Sequence, residues 1–180
     1  MADGEEYRAQ AEYTITPSYA IGISESYWRD EKWWLHAGTL TNLLRRWNFS
    51  DSQGNLYLKS GLGVATSDFG RFRQKAELAA FSGLAADWES RRYYLSYENE
   101  VLYAGDIARN FSQKARIGIA PYIGDYGDLH TWLMLQLDHR PWAGDPVTVT
   151  PLVRLFQETV LGEFGLSNHG DLMAHLMVLF

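Results

Sequence analysis

The chain contains no cysteine. That excludes a disulfide framework, a thiol nucleophile and any metal site built on thiolates. No apolar run approaches the roughly 20 residues that a membrane-spanning helix needs. No stretch repeats with the 3.6-residue period of an amphipathic helix. Charge is not blocked either: 16 Lys and Arg and 22 Asp and Glu are spread along the sequence, with a formal net charge of −6. There is no basic patch, so no nucleic-acid partner is expected. Linkers and low-complexity tracts are absent, and 180 residues suit one domain. No secretory signal precedes Ala2, so the expectation is a mature chain carrying an added initiator Met1.

What the sequence does have is aromatic residues and a period of two. Aromatics make up 14% of the chain, with seven Trp and eleven Tyr. Apolar and polar residues alternate almost without a break from residue 12 to the end. One segment runs through Tyr13, Ile15, Tyr19, Ile21 and Ile23. Others carry Leu56 to Val64, Tyr93 to Tyr103, Ile117 to Ile123, Leu129 to Leu137 and Val147 to Leu155. Two segments, 33–47 and 75–88, are strand-like but cannot be assigned a face. Trp33, Leu35 and Ala37 compete with Trp34, Leu40 and Leu44, and Glu77 and Phe81 fall on one face near Leu78 and Leu84. Compact turn chemistry occurs at 50–55, 87–90 and 124–128, with longer polar links near 25–32, 67–73, 104–112 and 139–146.

Alternation alone does not say which face meets water. Three features decide it. The polar face holds charge of both signs, at Lys59, Arg92, Glu98, Glu100, Lys114, Arg116, Asp138, Arg154 and Glu158, with Gly22, Gly61, Gly63 and Gly118 between. Inside a narrow barrel such charges pair and the small residues make room, whereas on a wet surface the glycines would only weaken strands. Tyr13, Trp33, Trp47, Trp88, Tyr93, Tyr103 and Trp142 lie near strand ends, where interfacial girdles sit. Finally, Leu172, Ala174, Leu176, Val178 and Phe180 alternate up to a terminal phenylalanine. This ending resembles the C-terminal strand of the bacterial outer-membrane protein superfamily, which the outer-membrane assembly machinery reads. The resemblance implies a barrel fold and a Gram-negative outer-membrane location, with outer-membrane lipid as its surroundings, and implies no activity.

The expected fold is therefore all-β: a closed antiparallel transmembrane β-barrel, an up-and-down meander of eight strands or, alternatively, ten. Nine strand-like segments can be counted, an awkward number because bacterial single-chain barrels have even strand counts. The doubtful stretches are 33–47 and 156–170. Residues 1–10 are expected to be an N-terminal periplasmic segment and 11–180 the barrel. At eight strands the interior is just filled by side chains, so paired charges would plug it.

Three functional readings follow. The first is a non-enzymatic outer-membrane protein with a plugged lumen, serving envelope stability or small-ligand handling. The second is a soft-metal accessory of an efflux or resistance system. If Phe180 faces lipid, Asp171, Met173, His175 and Met177 face inward, and Met134 shares its face with His130 and Trp132. Thioether and imidazole ligands favour Cu(I) and Ag(I), and a Trp face adds a cation–π contact. The set is similar in ligand chemistry to that of periplasmic copper and silver chaperones of Gram-negative efflux systems. The residues can equally be lumen filling, since Met fills gaps and His partners carboxylates. The third reading is a lipid-modifying enzyme, from Ser167, Asn168, His169 and Asp171 near a strand end. Nothing resembles a nucleophile elbow, and a polar turn accounts for the same residues. Arg45-Arg46 and Arg91-Arg92, each beside aromatics, suit snorkelling to anionic headgroups or contact with a periplasmic partner.

Overall fold

The computed structural model describes residues 6–67, 69–125 and 127–180. Met1–Glu5, half of the expected periplasmic segment, and Tyr126 of the 124–128 turn lie outside the described residues. Among the described residues there is no α-helix. The chain forms β1 (Glu6–Thr16), β2 (Tyr19–Trp28), β3 (Trp33–Asn48), β4 (Ser52–Ser67), β5 (Lys75–Ser90) and β6 (Tyr93–Ala104). It continues with β7 (Ala108–Ile119), β8 (His130–His139), β9 (Val147–Gln157), β10 (Val160–Leu166) and β11 (Leu172–Val178). All eleven form one antiparallel meander in sequence order. Among the described residues no ladder joins β1 to β11, so the sheet is an open half-barrel.

Eleven strands replace the eight or ten expected, and each extra strand has a local cause. The first alternating segment is two strands. The turn at Pro17–Ser18 needs only two residues, and a register irregularity between Thr14 and Thr16 pairs Thr14 with Ala20 and Thr16 with Tyr19. Odd-numbered residues thus stay outward on both sides of the turn, and the hairpin reads as one uninterrupted strand. The doubtful 156–170 stretch holds β10, paired along its length with β9 and β11. In β3 a bulge between Leu43 and Arg45 inserts one residue. The inward positions switch from odd to even there, which is why no single face fitted 33–47. In β5, Glu77 and Phe81 point inward and Leu78 and Leu84 outward.

The strand order also separates two rims. Links 17–18, 49–51, 91–92, 120–129 and 158–159 lie at one, and links 29–32, 68–74, 105–107, 140–146 and 167–171 at the other. Apart from 120–129 the first rim is built of turns of two or three residues. The tight turn expected at 87–90 falls at 91–92, so Arg92 sits in a turn rather than on the polar face. Glu158 does too, with a left-handed φ of 54°.

Candidate functional site

The two faces of the curled sheet have opposite chemistry. Most outward side chains are apolar and bare: Leu62, Leu78 and Leu172 are 74%, 82% and 76% exposed, and a Glu25–His36 pair stands among them. The inward face encloses polar groups, among them Glu163 at 0% and Gln136 at 2%. A water-soluble sheet protein turns its apolar face inward, and it encloses a charged group fully almost only where that group is paired.

Glu163 is the centre of the inward network. Its strand, β10, lies between β9 and β11, and the register puts Arg154 and His175 directly opposite it on either side. Arg154 Nε donates to Oε1 at 2.7 Å, and Arg116 Nη1, from β7, donates to both oxygens at 3.1 and 3.2 Å. His175 Nδ1 lies 3.1 Å from Oε2. Arg116 Nε also donates to Gln136 Oε1 at 2.6 Å, and Gln136 in turn donates to Asp138. The Arg154 guanidinium stacks over the Tyr94 ring, 4.7 Å from its centroid. A buried carboxylate so fully bonded holds its four strands in register. It offers no free lone pair for proton transfer, so the cluster is a tie across the interior.

A second ionic group lies nearer β4–β7. Glu98 bridges Lys59 and Lys114, each at 3.2 Å. It lines a cavity of about 110 Å³ together with Arg8, Glu100, Trp28 and Trp142. Toward the short-turn rim, Arg46 donates to Asn55, which donates to Asp87, both at 2.8 Å.

The candidate metal ligands divide. Met134 and Met173 share one buried cluster with Leu152, and Trp132 and Tyr94 pack against it. The row Met134, Leu152, Gly165, Met173 crosses four strands. A Cβ on Gly165 would come within 2.8 Å of Leu152, so the row closes up because that position has no side chain. The remaining three stand apart. His175 is bonded to Glu163, His130 sits at the start of β8 with its ring 6.5 Å from that of Phe156, and Met177 is 39% exposed near the end of β11.

The Ser167 hydroxyl accepts the backbone N–H groups of His169 and Asp171 at 3.2 and 3.1 Å. Asn168 Oδ1 accepts from Val149 N at 2.9 Å, and His169 Nδ1 is 3.7 Å from Asp145. These contacts organise the 167–171 link.

One feature of the interior escapes the sequence pattern. Toward the long-link rim the inward face carries an apolar cluster: Trp28 stacks on Trp33 at 3.8 Å and 4°. Leu35, Ala37, Ala65, Ala79, Leu102 and Ala104 complete the cluster. Trp33, expected in an outer girdle, is therefore 2% exposed on the inside, and Trp142 packs against the same cluster. Tyr13, Trp47, Trp88, Tyr93 and Tyr103 are outward and exposed. The available signal was the small inward alanines, which leave room for two indoles.

Compared with known proteins, the chain matches no family model, no curated protein and no solved structure, so the functional reading is carried by geometry.

Proposed function

We propose that this chain is a β-barrel protein of the bacterial outer membrane, non-enzymatic, with an interior filled by ion pairs and an apolar plug. Its role is in envelope stability or small-ligand handling rather than open diffusion. The observation that carries this is the inverted burial: bare Leu62, Leu78 and Leu172 outside, and the fully enclosed Glu163 inside. In lipid, apolar side chains outside cost nothing and enclosed charges are acceptable where paired. Two further points support it. Short turns gather on one rim, as the periplasmic turns of an outer-membrane barrel do. Outward Arg45, stacked 5.3 Å from Trp47, and Arg91 lie at the same rim, suited to anionic headgroups or a periplasmic partner. The test is refolding. The protein should reach a folded, monodisperse state in detergent micelles and aggregate without them. A folded, monodisperse sample in plain buffer would overturn the reading.

A second reading, binding of Cu(I) or Ag(I), is favoured by the meeting of Met134, Met173 and Trp132 in one cluster. Stoichiometric Ag(I) should then shift the methyl NMR signals of Met134 and Met173 and leave that of Met177 in place. Unchanged Met134 and Met173 signals would remove it.

A further inference from the structure

The cavity of about 110 Å³ lies where two kinds of interior filling meet. On one side stands Glu98 with its two lysines. On the other are Trp28 and Leu102 of the apolar cluster, with Trp142 packed against it. Gly83, inward on the neighbouring strand β5, lines the space without filling it.

Every cation on the cavity wall is engaged. Arg8 Nε donates to Glu6 at 2.8 Å, Lys59 and Lys114 share Glu98, and Arg140 is partnered as well. The acids are not all engaged. Glu6 and Glu98 are taken by those cations, and Asp138 accepts from Gln136. Glu100 makes no hydrogen bond or ion pair among the described residues, although Ser112 stands directly opposite it on β7. Arg8 and Lys114 attract it only through space, while Glu6 and Glu98 repel it. A half-buried carboxylate in this state lacks the pairing that makes enclosed charge tolerable. A second group on the same wall is also unsatisfied. Trp142 Nε1 is enclosed with no acceptor, one of two such atoms among the described residues.

An unbonded anionic acceptor and an unbonded donor thus border one space. Their complement is a molecule with a cationic N–H group at one end and an acceptor oxygen at the other. Two indoles on the wall suit an organic ammonium, whose charge aromatic rings attract. A cavity of about 150 Å³ holds benzene, so this one takes about four to six non-hydrogen atoms. Resting on the small-ligand side of the reading above, we propose that this cavity binds a small organic ammonium ion carrying a hydroxyl or carbonyl oxygen. The ammonium pairs with Glu100, and the oxygen accepts from Trp142 Nε1.

The test is a titration of the detergent-refolded chain with ethanolamine at neutral pH, followed by the indole N–H signals in NMR. The signal of Trp142 is the one that disappears in Trp142→Phe. It should shift saturably with ethanolamine and stay in place with ethylene glycol, in which a hydroxyl replaces the ammonium. Glu100→Gln should weaken binding about tenfold or more, as loss of a hydrogen bond to a charged group does. Trp142→Phe, which removes a donor that has no partner in the empty protein, should weaken it as well, read from the ethanolamine signals. It carries the test if Glu100→Gln does not refold. Three results overturn the proposal: no saturable shift; the same shift with ethylene glycol, which means the space holds any small polar molecule; or parent-like affinity in both variants. None of these bears on the membrane reading, which fails only if the chain folds without detergent.

Discussion

The enclosed face is filled in two different ways. Around Trp28 and Trp33, strands β2 to β6 pack indoles against alanines. Around Glu163, strands β7, β9, β10 and β11 meet through charges. The apolar half is held by dispersion and shape, which tolerate no gaps but need no partner of defined charge. The ionic half depends on complete pairing, because enclosing a charge costs several kcal/mol unless every partner is present. The two halves should therefore fail differently: the first by degrees, as volume is removed, and the second abruptly, when one member of the network is lost.

The largest single effect is expected in the ionic half. Glu163→Ala leaves Arg116 and Arg154 enclosed without an acceptor and should lower unfolding stability in detergent by about 3–5 kcal/mol, read from urea unfolding. Truncating the network to apolar residues throughout, with Arg116→Met, Arg154→Met and Glu163→Leu together, should recover much of that loss. If the triple variant is no better than Glu163→Ala, charge pairing is not what matters there. In the apolar half, Trp33→Ala removes the stacked indole and should cost about 3–4 kcal/mol. Combined with Glu163→Ala the losses should add within about 0.5 kcal/mol. A larger deviation would show that the two halves are one coupled core.

Smaller effects sharpen the contrast. A Cβ on Gly61 would lie 2.3 Å from the Phe81 ring, so Gly61→Val should cost about 1–3 kcal/mol by overpacking, and Gly61→Val with Phe81→Ala should recover part of it. The smallest effect is at the long-link rim. There the Lys75 ammonium, hydrogen-bonded to Asp106, holds that exposed carboxyl below its ordinary pKa. A lowered carboxyl stabilises above its ordinary pKa, and the contribution is lost as pH falls through the lowered value. Asp106→Asn should therefore be slightly less stable than the parent at neutral pH, with the difference vanishing in acid. An unchanged difference at low pH would mean the ion pair is irrelevant there.

The all-β meander and its facing were legible because a period of two survives single exceptions. Odd positions of β1 and β2 and even positions of β5 and β11 face outward, and their apolar residues announce it. Strand number was less legible because the β1–β2 turn and its bulge preserve parity, leaving nothing in the sequence to mark the reversal. The bulge in β3 had the opposite effect, breaking parity inside one strand. The partners of Glu163 were out of reach for another reason. Arg116 lies 47 residues away in sequence, and its role depends on the register of four strands. Trp33 starts β3 yet turns inward, because strand-end position does not distinguish an interfacial ring from one facing the interior.

The central claim is that lipid meets the leucines and the charges are enclosed. Leu78 and Ala79 are neighbours on β5, the first 82% and the second 4% exposed. Nitroxide labels at Leu78→Cys and Ala79→Cys in bilayer-reconstituted protein should separate cleanly. The label at 78 should collide readily with oxygen and poorly with a water-soluble nickel chelate, while the label at 79 should be immobilised and shielded from lipid-dissolved oxygen. If the label at 78 met the nickel chelate freely and the one at 79 met oxygen, the sheet would be the other way out.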